Sequence, residues 1–255
     1  MKEWFSLEDK VAVVVGGTSG IGRAIATGYA QAGANVVASS RRLQQVEETA
    51  KEITTLGSKT LTLTSDVQDS GSLVDLCEAV VEKFGTVDIL VVSSGVICKV
   101  PSVEMPEEDL VRVVDINLNG TFRANQVFGR QMITQKRGAI INIASVAATR
   151  SVLEMAPYAA SKAGVISLTK TLGSEWARFN VRVNAIAPGP FKTPLNVDLL
   201  KIPGRAELVL SRLPMNRFGE LEELVGTAIY LATDASSYVT GTTIPVEGGF
   251  LALGF

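Results

Sequence analysis

Tyr158 and Lys162 are the pair of residues whose types and spacing point most directly to chemistry. They stand four positions apart in Tyr-Ala-Ala-Ser-Lys, so a helix would place the phenol and the ammonium on one face. A phenol has a pKa of about 10 and exchanges protons poorly at neutral pH. A nearby ammonium stabilises the phenolate and lowers that pKa. The spacing therefore predicts a proton relay in which Lys162 lowers the pKa of Tyr158.

The composition leaves few other groups for acid–base work. The 255 residues include no histidine and two cysteines, Cys77 and Cys98. A Ser-His-Asp triad, a Cys-His dyad, a histidine-bound metal and a Cys-x-x-Cys site are therefore excluded, and we expect no metal. We interpret both cysteines as apolar filler in a reducing compartment, which indicates a cytoplasmic location.

Ser145 and Asn117 are two further candidates. Ser145 ends the apolar run that begins at Ile140, and in an open parallel sheet ligands bind at the carboxyl ends of the strands. Its hydroxyl could there donate a hydrogen bond to a substrate oxygen, although a strand-end hydroxyl that faces water is the plainer alternative. Asn117 falls within a long helical segment, where a polar residue on a helix face is equally consistent with the pattern.

Glycines mark the turn between the first predicted strand and the first predicted helix. Gly16, Gly20 and Gly22 follow the apolar run Val11–Val15 in the spacing G-x3-G-x-G. Glycine permits a tight turn and a close approach of the backbone, and the N-terminus of a helix attracts phosphate. The pattern predicts a dinucleotide-phosphate site, with an ordinary strand–helix turn as the alternative.

The end of the second predicted strand indicates which dinucleotide binds. NAD sites commonly place an acid there for the ribose 2′-hydroxyl, whereas arginine suits the 2′-phosphate of NADP. No Asp or Glu occurs from Asn35 to Val46, but Arg41 and Arg42 do. We therefore expect NADP(H) as the preferred cofactor and NAD(H) as a second possibility, with a solvated arginine pair as the alternative interpretation.

The elements that must position these residues alternate along the whole chain. Short apolar runs are separated by segments with a 3.6-residue period, which is typical of a parallel sheet covered by helices on both faces. The seven predicted strands are Val11–Val15, Val36–Ser40, Leu61–Thr64, Ile89–Val92, Ile140–Ile143, Val181–Ile186 and Thr243–Val246. No linker or repeat divides the chain, so we expect an α/β protein with one domain over residues 1–255.

Charge and hydropathy exclude several classes of partner. The 24 basic and 26 acidic residues give a net charge of −2, so nothing favours nucleic acid. No apolar run approaches the ~18 residues of a membrane span, and the first ten residues lack the apolar core of a signal peptide. We expect a small-molecule partner, and neither a nucleic acid nor a membrane.

Taken in order, these motifs resemble the short-chain dehydrogenase/reductase family from end to end. The match is carried by Gly16-x3-Gly20-Ile21-Gly22, Asp66-Val67, Asn117, Ser145, Tyr158-x3-Lys162, Pro188-Gly189 and the C-terminal Val246-Glu-Gly-Gly-Phe. The resemblance implies a Rossmann-type, doubly wound fold and hydride transfer between a nicotinamide and a secondary alcohol or ketone. It also implies a homotetramer and a substrate lid at about 190–214.

The resemblance further assigns roles to the candidate residues. Tyr158 would be the general acid–base, and Ser145 would hold the carbonyl oxygen. Lys162 would bind the nicotinamide ribose and lower the pKa of Tyr158, while Asn117 would support a water that relays protons to Lys162. Asp66 and Val67 would flank adenine, and Pro188, Gly189 and Thr193 would line the nicotinamide side. The implied cofactor contacts are Gly16, Thr18, Ser19, Gly20, Ile21, Gly22, Ser40, Arg41, Arg42, Asp66, Val67, Ser93, Ser94, Gly95, Tyr158, Lys162, Pro188, Gly189, Phe191 and Thr193.

Two positions depart from the family pattern. Val15 stands where a threonine usually precedes the first glycine, and Val92-Ser-Ser-Gly95 stands where the family usually has Asn-Asn-Ala-Gly. Val15 cannot make the hydroxyl's hydrogen bond, whereas the two serines still present backbone groups. These departures motivate an alternative of another class, a catalytically idle nucleotide-binding sensor or scaffold.

The substrate is the least constrained prediction. The chain is similar to gluconate 5-dehydrogenases and related sugar-acid enzymes, and also to 3-oxoacyl-(acyl-carrier-protein) reductases. A sugar acid or polyol is the first expectation, and for an acid Lys99 or Arg150 would bind the carboxylate unless each is an ordinary surface charge.

Other side chains would serve other substrates. Arg123, Arg130 and Arg178 are candidates for a basic patch that binds a carrier protein. Met155, Phe191 and Leu195 would line an apolar cleft.

Overall fold

The computed structural model of this protein describes residues 4–253. Within that range, six strands form one parallel sheet in the order β2-β1-β3-β4-β5-β6. Their bounds are β1 Val11–Val15, β2 Asn35–Ser39, β3 Ile89–Val92, β4 Gly138–Ile143, β5 Val181–Pro188 and β6 Thr243–Val246. The predicted α/β class with a parallel sheet is confirmed, and the number of strands is corrected from seven to six.

The predicted strand Leu61–Thr64 does not join the sheet. Its segment runs beside the outer edge of β2, where the N–H of Ser65 donates to the carbonyl of Ser40 at 3.1 Å. The hydroxyl of Ser39 donates to the carbonyl of Leu63 at 2.7 Å. A second backbone bond, from the N–H of Val36 to the carbonyl of Lys59 at 3.0 Å, lies before the segment, but within the described range no backbone bond joins residues 61–64 to β2, so no ladder forms there.

Helices cover both faces of the sheet. Alternation along β1 sends Val14 into the core that contains Ile25, and Val13 into the opposite core, which contains Phe128. The helices are α1 Gly20–Gln31, α2 Leu43–Thr55, α3 Ser70–Phe84, α4 Glu107–Val114, α5 Gly120–Gln135, α6 Ala156–Trp176, α7 Val197–Leu200, α8 Arg205–Leu210 and α9 Val225–Ala232. None of the helices in the described range combines the length and the hydropathy that crossing a bilayer requires.

The strand order reverses at β1, which lies between β2 and β3. Ligands bind at such a switch point because the loops that leave neighbouring strands diverge there. The N–H of Ser93 donates to the carbonyl of Val15 at 2.8 Å. A Cβ built on Gly16 would lie 2.6 Å from the backbone nitrogen of Ser94, so this contact between the two loops admits only glycine.

The helical segment predicted over 107–135 is divided in the structure. A π-helical turn, Asp115–Asn119, separates α4 from α5. Widened turns of this kind are frequent at functional sites. Asn117 lies at the centre of the turn with its side chain fully buried, so the alternative of a solvated polar residue on a helix face is wrong.

Candidate active site

Helix α6 presents Tyr158 and Lys162 to the cleft at the switch point. The helix begins at Ala156, so both residues fall in its first two turns, and the i, i+4 spacing places them on one face. The Nζ of Lys162 lies 5.9 Å from the centre of the Tyr158 ring. The same Nζ donates to the carbonyl of Ile143, the last residue of β4, at 2.8 Å. The end of β4 thus fixes the ammonium beside the phenol.

Ser145 completes this group from the loop after β4. The strand ends at Ile143, as predicted, so Ser145 lies two residues beyond it and caps the short 3-10 turn Val146–Ala148. Its hydroxyl accepts from the N–H of Ala147 at 3.1 Å. The Ser145 hydroxyl lines the same cleft as Tyr158 and acts to lower the pKa of the phenol. Ser145 therefore faces the same cleft as Tyr158, and the alternative of a hydroxyl turned to water does not hold.

Burial governs the proton affinity of the phenol. Desolvation raises the pKa of Tyr158, and the Ser145 hydroxyl offsets only part of that rise. This direction is opposite to the sequence-based expectation that Lys162 lowers the pKa of Tyr158. A phenolate in this place loses its water shell, and that loss is the largest effect on the pKa. Tyr158 therefore carries its proton at neutral pH and is ready to act as an acid.

Burial acts on Lys162 in the opposite sense. The residue is 4% exposed, and desolvation lowers the pKa of its ammonium to about 8. Its described side-chain hydrogen bond, to the carbonyl of Ile143, uses one of three N–H groups. Since Lys162 also lines the cleft, the ammonium has N–H groups available for a ligand.

Asn117 holds the elements of the site together. Its Oδ1 accepts from the N–H of Val96 at 2.8 Å, and its Nδ2 donates to the carbonyl of Val96 at 3.0 Å. The Nδ2 also donates to the hydroxyl of Ser161 at 3.1 Å, and that hydroxyl donates to the carbonyl of Tyr158 at 2.7 Å. Both amide N–H groups are thus used. Sequence reasoning missed Ser161, whose position between Tyr158 and Lys162 on α6 was the available signal.

The cleft has a volume of about 380 Å³, and most of the predicted cofactor residues line it. Of the residues predicted to contact the cofactor, all except Gly22 line it, as do Ser145, Tyr158 and Lys162. Sequence reasoning missed nine lining residues: Gln45, Ser65, Gln68, Val96, Ile116, Ile143, Ala144, Pro194 and Asn196. Several follow predicted residues directly in the chain, which was the only signal for them.

The first turn of α1 fits a phosphate. Gly20 opens the helix in the left-handed region, with a φ of +50°. The preceding residue, Ser19, makes no side-chain capping hydrogen bond, so the first N–H groups of the helix are left for another acceptor. Gly20 and Ser19 both line the cleft. The partial positive charge of a twelve-residue helix therefore meets the cleft where a pyrophosphate would lie.

The far end of the cleft fits a second phosphate. Arg41 and Arg42 line it with exposed side chains. Within residues 4–253, neither guanidinium forms an ion pair with a carboxylate. Ser40 lies beside them, and the hydroxyl of Thr18 donates to its hydroxyl at 2.8 Å. The two guanidiniums and the neighbouring Ser40 hydroxyl together suit an anion with the charge of a 2′-phosphate.

Known proteins resemble this chain both in fold and in sequence. A family model described as Enoyl-(Acyl carrier protein) reductase matches residues 15–251. The 3-oxoacyl-(acyl-carrier-protein) reductase of Thermotoga maritima is 40% identical over 246 residues, which cover 96% of this chain and 99% of the relative. The 2-dehydro-3-deoxy-D-gluconate 5-dehydrogenase of Escherichia coli is 39% identical over 249 residues, which cover 97% of this chain and 98% of the relative.

The chain belongs to the short-chain dehydrogenase/reductase family. Among solved structures, a gluconate 5-dehydrogenase of Burkholderia cenocepacia in complex with NADP and tartrate has a TM-score of 0.95 at 33% identity, with 99% of both chains covered. The predicted family is confirmed, and so is the predicted enzyme class, an oxidoreductase that acts on CH–OH groups.

The two positions that depart from the family pattern, Val15 and Ser93-Ser94, fit the core and the cleft of the structure. The side chain of Val15 is 1% exposed and packs in the core on one face of the sheet. Ser93 and Ser94 line the cleft, as their predicted role requires. The alternative of an idle binder thus loses the structural reason that motivated it.

The charged side chains considered for the substrate have partners within the protein. Lys99 forms an ion pair with Glu154 at 2.6 Å. The guanidinium of Arg123 binds Asp115 at 2.7 Å, which neutralises one cation of the predicted basic patch. Arg150 donates to the carbonyl of Phe250. Neither Lys99 nor Arg150 is therefore an unpaired surface charge.

The apolar candidates separate into two groups. Phe191 and Leu195 line the cleft, whereas Met155 is buried and is not part of its lining. The stretch predicted as the substrate lid, 190–214, contains the two short helices α7 and α8.

Gly22 lies behind the cleft wall, where it allows α1 to approach β1. A Cβ built on Gly22 would lie 2.1 Å from the carbonyl oxygen of Gly16. We expect Gly22→Ala to destabilise the protein by about 2 kcal/mol, because the clash is with backbone, and to weaken NADPH binding. Thermal unfolding and a binding titration measure the two effects. Gly226→Ala in α9 is the control, since nothing lies within 4 Å of its Cβ, and equal stability of the two variants would contradict the prediction.

Proposed function

We propose that this protein is an NADP(H)-dependent oxidoreductase that interconverts a secondary alcohol and a ketone on a sugar acid or polyol. The observation that carries the proposal is that Ser145, Tyr158 and Lys162 line one cleft, with the Ser145 hydroxyl placed so that it lowers the pKa of the Tyr158 phenol. Two hydroxyls that meet at one point bind one substrate oxygen, and a phosphate-binding helix end lies in the same cleft.

Tyr158, Ser145 and Lys162 have distinct roles in the proposed reaction. When bound, the nicotinamide supplies or takes up the hydride. Tyr158 gives its proton to the substrate oxygen during reduction and takes it back during oxidation. Ser145 donates a hydrogen bond to the same oxygen and fixes its position. Lys162 directs its free N–H groups at the ribose hydroxyls and favours the phenolate once Tyr158 has lost its proton.

Asn117 is a positioning residue in this proposal. It holds the loop after β3 through Val96 and the start of α6 through Ser161. A water that relays protons to Lys162 would bind the backbone carbonyl of Asn117, because both side-chain N–H groups are used. That carbonyl also accepts from the Thr121 hydroxyl at 2.7 Å.

The relatives support a sugar acid as the substrate. The E. coli relative is a 2-dehydro-3-deoxy-D-gluconate 5-dehydrogenase, and the B. cenocepacia neighbour is a gluconate 5-dehydrogenase. Reduction of a 3-oxoacyl group on a carrier protein is the second candidate, since the T. maritima relative carries that name. The neutralisation of Arg123 by Asp115 weakens a carrier-protein patch and favours the smaller substrate.

A substrate screen that follows nicotinamide absorbance tests this proposal. Sugar acids, polyols and 3-oxoacyl thioesters are assayed side by side with NADPH or NADP. Turnover of a sugar acid or polyol above that of every thioester is the expected result. Faster turnover of a thioester would favour the second candidate, and no turnover of any compound would refute the proposed reaction.

Arg41 is the residue on which the proposed cofactor preference depends. In the unaltered protein NADPH should bind more tightly than NADH, and Arg41→Ala should narrow that difference by about 2 kcal/mol, the value of a hydrogen bond to a charged group. Titration of both cofactors measures the change. Arg130→Ala, which removes an exposed arginine of α5, is the control. Equal binding of NADPH and NADH by the unaltered protein would contradict the preference.

The proposal extends to organisation and location. Residues 1–255 would act as one domain, with 190–214 as its substrate lid. The exposed apolar residues Leu110, Val111 and Phe122 on α4 and α5 support assembly into the homotetramer that is usual in the family. Cys77 and Cys98 are both free, which is consistent with a cytoplasmic protein.

A further inference from the structure

Arg150 is a predicted ligand of a substrate carboxylate, but in the structure it contacts Phe250 of the same chain. Its guanidinium donates to the carbonyl of Phe250 and stands 4.5 Å from the centre of the Phe250 ring. An arginine over an aromatic face gains a cation–π attraction in addition to the hydrogen bond. Arg150 therefore binds the C-terminal turn, defined as residues 247–253, through two groups of one residue.

The position of Arg150 is fixed relative to Ser145. Its backbone N–H donates to the carbonyl of Val146 at 3.0 Å, at the end of the 3-10 turn that Ser145 caps. Arg150 thus connects the loop that carries a catalytic hydroxyl to the C-terminal turn, 100 residues later in the chain.

The C-terminal turn has a defined, hydrogen-bonded backbone conformation and contacts the lid. Gly248 and Gly249 both lie in the left-handed region, with φ of +64° and +87°, and reverse the chain after β6. The side chain of Glu247 closes the turn by accepting from the N–H of Leu251 at 2.7 Å. On its outer side, the carbonyl of Gly248 accepts from the N–H of Met215 at 3.2 Å.

The hydrogen bond between Met215 and Gly248 is one anchor of the lid, and a second anchor does not involve the C-terminal turn. The N–H of Gly219 donates to the carbonyl of Pro190 at 3.1 Å. The ring of Phe191 packs flush on Gly219, since a Cβ there would lie 2.3 Å from it. Between the two anchors, α7 and α8 expose Val197 and Leu208 to solvent. The lid is therefore held at one side by the end of β5 and at the other by the C-terminal turn.

We propose that Arg150 is a positioning residue that fixes the lid over the substrate by holding the C-terminal turn, and that it does not bind a substrate carboxylate. The inference rests on the proposed function for its kinetic part. Loss of Arg150 would release the turn, then the Met215 anchor, and leave the lid attached at Gly219. The lid would close less often on a bound substrate, whatever the charge of that substrate.

Three variants test the inference: Arg150→Met, Phe250→Ala and the double variant. We expect Arg150→Met to raise KM about 10-fold for acidic and for neutral substrates alike, with the Kd of NADPH unchanged. Phe250→Ala should act in the same direction but less strongly, because it removes the ring and keeps the backbone carbonyl, and the double variant should be no worse than Arg150→Met, which already loses both contacts. Arg212→Met, an exposed arginine of the same lid, is the control.

Limited proteolysis gives a second readout that needs no substrate. The lid of Arg150→Met should be cut about 10-fold faster than that of the unaltered protein at equal thermal stability. If no compound turns over, the proposed function fails while proteolysis still decides the inference. A KM effect confined to acidic substrates would overturn it in favour of a carboxylate ligand. Unchanged cleavage, or equal losses in thermal stability and NADPH binding, would overturn it as well.

Discussion

Replacing Tyr158 with phenylalanine should lower kcat about 1,000-fold, within the range that general acid–base groups contribute. The substitution removes one oxygen and leaves the ring that lies beside Lys162. It takes away the proton donor of the reduction and the partner of the Ser145 hydroxyl. The Kd of NADPH should change little, because Ser19, Gly20 and Arg41 hold the phosphates in the proposed complex.

Steady-state kinetics with the substrate found by screening measure this effect, together with a titration of NADPH. Tyr238→Phe is the matched control, since that phenol is fully exposed on the surface. Turnover by Tyr158→Phe at the rate of the control would remove Tyr158 from the chemistry.

The pH dependence of the two directions should differ for the same reason. Burial raises the pKa of Tyr158, so the phenol keeps its proton from acidic to mildly alkaline pH. The rate of reduction should stay nearly constant over that range, because the acid form is already present. The rate of oxidation requires the phenolate and should rise about tenfold per pH unit below the pKa of Tyr158.

Replacing Lys162 with methionine has the second largest expected effect, and its two consequences have opposite signs. We expect kcat to fall about 100-fold, because the ammonium no longer supports proton loss from Tyr158. We also expect the protein without cofactor to become more stable at pH 7. Lys162 is buried and charged at that pH, and methionine fills a similar volume with no charge to desolvate.

The gain in stability should depend on pH in a defined direction. The pKa of Lys162 is about 8 in the folded protein and 10.5 in the unfolded chain. Below pH 8 the folded state carries the full cost of the buried charge. Between pH 8 and 10.5 the unfolded chain binds more protons than the folded one, so the unaltered protein gains stability as pH rises. The advantage of Lys162→Met should therefore shrink over this window.

Thermal unfolding of both proteins from pH 7 to 10 measures this difference. Lys170→Met is the control, because Lys170 lies two turns further along α6 and is exposed. A stability difference between Lys162→Met and the unaltered protein that does not change with pH would contradict the burial of a charged Lys162.

The sequence by itself determined the class of fold and the types of the chemical groups. The period of the apolar residues is a local property, so β1, β3 and β6 fall where the pattern predicts them. The phosphate-binding turn follows from glycines within seven residues of each other, and Tyr158 and Lys162 share a face because a helix brings i and i+4 together. Spacing along the chain sufficed for each of these.

Only the tertiary structure decided the partners and the proton affinities. Arg150 meets Phe250 and Asn117 meets Val96 and Ser161 because elements far apart in the chain pack together. The direction of the shift in the pKa of Tyr158 follows from the desolvation that this packing causes. Leu61–Thr64 stays outside the sheet, and its contact with β2 is the hydrogen bond from the Ser39 hydroxyl to the carbonyl of Leu63. Each outcome depends on which groups surround a residue in space, and residue types and short spacings do not contain that information.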